Sequence, residues 1–269
     1  MSDISVSEPE TKPKKKVPQI RKLRRDELML ALQAGWNDFK REPKFGLFFG
    51  AIYAIGGWVI YLLASISGMH YFAYPLVSGF ALIAPFVCAG VYEVSRLIER
   101  GEPLTWSNVL DAIRQCGLKD LGWMSLVSVF ALIIWADFAV FVYLMFFGLK
   151  LLSPMELATM IVTSWYGFSF FVVGNLLGAV IAFFVFSLTV VSFPLLLDRD
   201  VDFVTAMMTS MRAVKVNPIQ MLAWAAGIAL MMLFSFATLF LGLFMILPVV
   251  GHATWHLYRR VIEPEEISA

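Results

Sequence analysis

The amino-acid sequence predicts an all-α, polytopic membrane helical bundle. Six transmembrane helices form three hairpins, each preceded by an amphipathic helix on the cytoplasmic surface. Three observations carry this prediction. Of 269 residues, 59% are hydrophobic and only 15% charged, against roughly 25% charged in ordinary soluble domains. The apolar residues gather in runs that reach the roughly 20 residues needed to cross a bilayer. The 21 Lys and Arg fall almost entirely between alternate runs, the pattern that fixes orientation. A net charge of +1 conceals this asymmetry. Cys88 inside an apolar run and Cys116 beside Arg114 are the two cysteines, too few for a disulfide framework.

The predicted spans are 45–67, 74–97, 122–148, 164–197, 219–241 and 243–258. The last two share residues 218–258 with a turn near Leu241 and Gly242, and one long bent helix is the competing reading. Charge placement favours the hairpin, because a double crossing returns Arg259 and Arg260 to the side of Arg212 and Lys215. On this scheme the N-terminal stretch through Lys44 carries 11 basic residues, 96–119 carries 4, 199–215 carries 3, and Arg259 with Arg260 adds 2. Lys150 alone faces the other side. Both termini are therefore expected in the cytoplasm, with short outer turns near 67–72 and 149–163.

Residues 1–25 read as a disordered basic arm, 26–260 as the membrane domain and 261–269 as a short cytoplasmic tail. The arm has almost no apolar content through residue 19, so it cannot offset its ordering entropy. It is not a cleaved signal peptide, because the first long apolar run begins near Phe45. Its cluster of Lys12, Lys14, Lys15, Lys16, Arg21, Lys22, Arg24 and Arg25 reads as a topology signal or as an attractor of anionic lipid headgroups.

Apolar stripes at helical spacing precede each odd-numbered span: Leu28, Leu32, Trp36 and Phe39; Val109, Ile113 and Cys116; Phe203, Met207, Met211 and Val214. Pro43 and Pro218 mark the bends into the first and fifth spans. Pro85 and Pro248 each stand 11 positions before an arginine, Arg96 and Arg259. The middle hairpin departs from this repeat, with Pro194 only five positions before Arg199.

Asp137 is the one acidic residue deep in an apolar span, where a charge costs about 2.5–3.5 kcal/mol unless it is paired. Asn175 lies at the matching depth on the next span. A hydrogen bond between the two is expected, either as packing glue or as an intramembrane polar site. Gly174, Gly178 and Ala182 form one small-residue ridge, and Gly46 and Gly50 begin another; such ridges let helices approach closely. His252 and His256 are four apart and share a helix face, a spacing open to a haem or metal ligand pair but equally to interfacial polar tips. No third metal ligand at matching spacing accompanies them. Glu93, Arg96 and Arg259 read as cytoplasmic anchors. Asp198, Asp200 and Asp202 resemble the opening of a calcium loop but lack its glycine and closing glutamate. The sequence contains no phosphate loop, dinucleotide fingerprint, nucleophile elbow or zinc motif, so no catalytic residue, no metal, no cofactor and no nucleic acid is expected.

Pro-Leu-Val-Ser-Gly-Phe at 75–80, the stretch 92–101, Phe-Pro-Leu-Leu-Leu-Asp-Arg at 193–199 with Asn217 and Pro218, and the stretch 251–259 resemble a bacterial integral membrane family of unknown function, domain of unknown function family 2189. The similarity runs from about Trp36 to Arg260. It implies a bacterial inner membrane protein and brings no established active site. Some family members are labelled similar to cytochrome c oxidase subunit I, an enzyme that needs several histidines within the membrane, whereas this chain has three in total, with His70 in a turn. The leading expectation is a non-enzymatic scaffold or accessory protein engaging anionic lipids, a membrane complex or further copies of itself. The alternatives are a small transporter or channel using Asp137 and Asn175, and a haem-binding accessory protein using His252 and His256. A reporter fused after Ala269 is expected to be active only in the cytoplasm; activity on the far side reverses the topology.

Overall fold

A computed structural model describes residues 18–68, 76, 79–80, 84–117 and 120–264, with backbone alone at 85–86, 112–113, 115–117 and 120–121. Among these residues the fold is all helical: α1 (Glu27–Arg41), α2 (Pro43–Ile66), α3 (Ala84–Val87), α4 (Ala89–Arg100), α5 (Trp106–Gly117), α6 (Asp120–Phe147), α7 (Pro154–Thr163), α8 (Trp165–Thr189), α9 (Ser192–Asp198), α10 (Phe203–Val216), α11 (Pro218–Ala237) and α12 (Leu243–Val261). Local chemistry sets many of these boundaries. Pro43 and Pro218 open α2 and α11, where a missing N–H is harmless. Ser153 and Glu156 form a reciprocal capping box at α7, and Asp202 caps α10 by accepting from the Thr205 amide.

Four stretches are long and apolar enough to cross a membrane: Pro43–Ile66, Gly122–Phe147, Trp165–Asp198 and Pro218–Ala237. Residues 74–75, 77–78 and 81–83 of the expected span 74–97 lie outside the described residues, as do His70, part of the 67–72 turn and residues 1–17 of the arm. The run 164–197 is helical in two pieces, with α8 ending at Thr189 and α9 starting at Ser192. At 218–258 the competing single bent helix does not form, because the chain turns at 238–242 between α11 and α12.

The core gathers around α12. Leu243, Leu247, Ala253, Trp255, Leu257, Tyr258 and Val261 on it are all buried. The other helices collect around this one because its second half is too polar for lipid and too apolar for water. α2 runs antiparallel along its first half: a Cβ added at Gly46 would lie 2.8 Å from Pro248, and one at Gly50 would lie 2.9 Å from the Phe244 carbonyl. α1 covers the second half, and its Gly35 backbone rests on Ala253. Leu28 and Leu32 pack against the core and Phe39 is buried, while Trp36 stays exposed. The first stripe thus finds protein where a lipid surface was expected. The third stripe behaves alike, with Phe203 and Met207 packed against the core and Val214 inside it. In the second stripe Val109 is buried, and the Ile113 and Cys116 side chains fall outside the described set.

Residues 19–23, the end of the expected arm, form a strap across the end of the bundle. The Arg21 amide donates to the Val261 carbonyl at 2.8 Å and the Glu263 amide to the Gln19 carbonyl at 3.0 Å. Asn217, at the α10–α11 bend, accepts from the Leu23 amide at 2.7 Å and donates to the Arg21 carbonyl at 3.0 Å. Burial pushes the Glu27 carboxyl upward, but the Arg24 amide and the Arg21 guanidinium outweigh it and hold the group below its ordinary range. Gly35→Val would drive side-chain atoms into the α12 backbone, since even a Cβ there lies 2.6 Å from Ala253 Cα. It should destabilise the fold by at least about 1–3 kcal/mol, read as a lower thermal midpoint in detergent. Gly174→Ala, where a Cβ meets nothing within 4 Å, should leave that midpoint unchanged.

Candidate functional site

α4, α9 and α12 all finish at the end of the bundle where the basic residues collect, and their last turns meet. The meeting point is Asp198, the final residue of α9. Its carboxylate accepts from the Tyr258 hydroxyl at 2.7 Å and from Arg259 at 3.2 Å. Arg100 approaches it at 3.5 Å and Arg96 at 3.8 Å. Glu99 adds a second acceptor, taking the Trp255 indole N–H and the Arg259 Nε, both at 3.0 Å. Behind this layer Glu93 is almost fully buried and paired with Arg96 at 3.1 Å. Burial works against the Arg259 charge, yet Glu99 and Asp198 outweigh it and hold the guanidinium more firmly protonated than usual.

These side chains line an open, polar cavity of about 410 Å³, whose wall holds Arg96, Arg100, Arg199 and Arg259 against Glu99 and Asp198. Glu93 and Glu102 face Arg96 and Arg100 from outside this wall, at 3.1 and 4.0 Å. Arg96 Nε is buried and has no hydrogen-bond partner. Such a surface offers planar, multi-donor contacts to an oxyanion.

One layer deeper, α1, α4 and α12 share a second polar cluster. The Ser95 hydroxyl donates to Asp38 at 2.8 Å, and His252 Nδ1 lies 2.7 Å from the same hydroxyl oxygen. The serine proton is committed to Asp38, so His252 is the donor in that contact and its Nε2 is left unprotonated; Nε2 is buried without a partner. His256 Nε2 meets Asp38 at 2.7 Å. The expected histidine pair is therefore held by one carboxylate, His256 directly and His252 through Ser95. Among the described residues no group of three His, Cys, Asp or Glu side chains is placed to hold a metal ion.

The remaining candidates lie elsewhere. Asp137 and Asn175 are both exposed on the bundle surface, and the Asn175 amide donates to the Phe171 carbonyl of its own helix at 2.8 Å. Asn175 and Gly174 also border an apolar cavity of about 440 Å³ between α6, α7 and α8. Gly178 sits against Trp135, a Cβ there lying 2.6 Å from the ring, while Ala182 is exposed. Gly46 and Gly50 make the close α2–α12 approach described above.

Sequence reasoning missed Asp38 and Asp198. Asp38 stands among Lys40, Arg41 and Asn37 and reads as part of a solvated face. A usable signal was its helical spacing from Ala31 and Gly35, which places it on the small-residue side of α1. Asp198 was masked by Asp200 and Asp202, whose alternation imitates a calcium loop.

Several helices long and apolar enough to cross a membrane, with large hydrophobic side chains exposed along them, define a polytopic integral membrane protein. Residues 73–198 match the model of the family described as predicted integral membrane protein, domain of unknown function 2189, a little under half of the chain. The match is shorter than the stretch over which the sequence resembles that family. It ends at Asp198, so it includes Ser95 and Arg96 but neither α1 nor α12. Comparison with curated proteins and with solved structures returns no match. Asp38→Ala should leave Ser95 and His256 without their shared acceptor and destabilise the protein by about 2 kcal/mol or more, measured as a lower thermal midpoint; a midpoint equal to wild type refutes a structural role for the cluster.

Proposed function

We propose that the protein is a non-enzymatic scaffold of the bacterial inner membrane, with both termini cytoplasmic, that holds anionic phospholipid headgroups at its charged end. The observation that carries this reading is the arginine-lined cavity. Four guanidinium groups from three segments converge on one open space, whose wall holds two carboxylates, Glu99 and Asp198. An anionic headgroup entering there keeps its acyl chains in the bilayer, and each basic group near the surface is worth about 1 kcal/mol to such a ligand. Clasps from Asp198 and Glu99 hold the arginines in place, which lowers the entropy lost on binding. The one-sided placement of basic residues supports a cytoplasmic position for this end.

The test is lipid retention by the full chain. Reconstituted into discs of mixed phosphatidylglycerol and phosphatidylcholine and then extracted gently, the wild type should keep the anionic lipid preferentially, as read by mass spectrometry. Arg100→Gln should lower that preference about fivefold, the equivalent of about 1 kcal/mol. Equal retention of both lipids by the wild type, or an unchanged preference in Arg100→Gln, overturns the reading.

A further inference from the structure

We propose that the α11–α12 hairpin is re-entrant: it enters the bilayer from the charged end, turns inside the hydrocarbon and returns to the same face without crossing. α2 serves as the ruler. It lies antiparallel to α12, with Gly46 at Pro248, Gly50 at Phe244 and Gly57 against the Phe240 ring, where an added Cβ would stand 3.0 Å away. The Trp58 indole N–H donates to the Leu239 carbonyl at 2.8 Å. The 238–242 turn is thus level with residues 57–58 of α2.

Both ends of α2 can be assigned to the membrane surfaces. Lys44, exposed and paired with Glu42 at 3.2 Å, marks the charged face. From Lys44 to Ile66 the helix rises about 33 Å, close to the roughly 30 Å of a hydrocarbon core. Beyond Trp58 it continues for eight residues, with Leu62, Leu63 and Ile66 exposed as lipid-facing side chains are. The hairpin tip therefore stops about 12 Å short of the far surface.

Composition of the tip agrees. No Asp, Glu, Lys or Arg occurs between Lys215 and Arg259, and the turn presents Leu239 and Leu241 at 73% and 59% exposure. The α6–α7 connection, by contrast, carries Lys150.

Backbone accounting points the same way. Irregular backbone survives at membrane depth only where its polar groups are satisfied by protein. Every amide from residue 238 to 246 donates within the turn: eight to main-chain carbonyls and the Gly242 amide to the Thr238 hydroxyl. The Leu239 carbonyl, turned outward by a left-handed residue of φ 51°, is the one that Trp58 covers. On this proposal the expected double crossing at 219–258 becomes a single-faced loop, which leaves both flanking basic groups on one side as before.

A nitroxide placed at Leu241→Cys in the full chain, with Cys88 and Cys116 changed to serine and the protein reconstituted in liposomes, tests this. Leu149→Cys, at a site 91% exposed next to Lys150, is the water-facing reference. The 241 label should collide readily with oxygen and at least tenfold less than the 149 label with a water-soluble nickel chelate. Nickel accessibility equal to that at 149 overturns the proposal. Should Leu241→Cys fail to fold, Met245→Cys, exposed on the first turn of α12, must give the same protected signal, and a water-accessible label there equally refutes a buried tip.

Discussion

A helix that carries two histidines, a threonine, a tryptophan and a tyrosine in its second half cannot face hydrocarbon, and with its leucines and valines it cannot face water either. α12 is that helix, and the bundle follows from the need to surround it. Glycines at 35, 46 and 50 allow α1 and α2 to come within backbone contact along its length. α4 and α9 close the remaining sides. The polar atoms that α12 brings inward find partners there, His252 Nε2 excepted, because burying an unpaired group costs several times what a good hydrogen bond returns. Asp38, Ser95, Glu99 and Asp198 are those partners, one supplied by α1, two by α4 and one by α9.

The two polar layers differ in kind. The inner cluster of Asp38, Ser95, His252 and His256 is closed: its members face one another, with Ser95 and His252 out of contact with solvent. It fixes the angle between α1, α4 and α12. The outer layer is open, with more guanidinium than carboxylate along its wall. Closed polar clusters specify a packing arrangement; an open one leaves side-chain atoms facing outward. The proposed lipid site accordingly rests on the outer layer, although the inner one contains the more suggestive residue types.

Apolar runs, the opening prolines and the one-sided basic residues were legible in the sequence because each is a local or compositional property. Convergence of Arg96 and Arg259 on one point was half legible, since both end a run that begins with proline 11 positions earlier. The middle repeat looked broken because it ends in the acceptor while the other two end in donors; one acidic residue satisfying two arginines requires that asymmetry. Depth was not legible at all. A run of 20 apolar residues reads alike whether it crosses the membrane or turns back, and the proposed re-entrant course rests on the register of α12 against α2. Asp137, the acid most conspicuous in the sequence, is exposed on the bundle surface.

The strap that joins residues 19–23 to Asn217, Val261 and Glu263 links the start of the described residues to their end. During synthesis α1 emerges more than 200 residues before α12, the surface against which its apolar stripe packs. Until the C-terminal hairpin is made, that stripe has only lipid or a chaperone for company, and α2 must hold its place in the membrane without the neighbour its glycines are shaped to meet. Maturation of this part of the protein is accordingly completed late: α12, released by the ribosome after the helices that surround it, is the keel on which they settle.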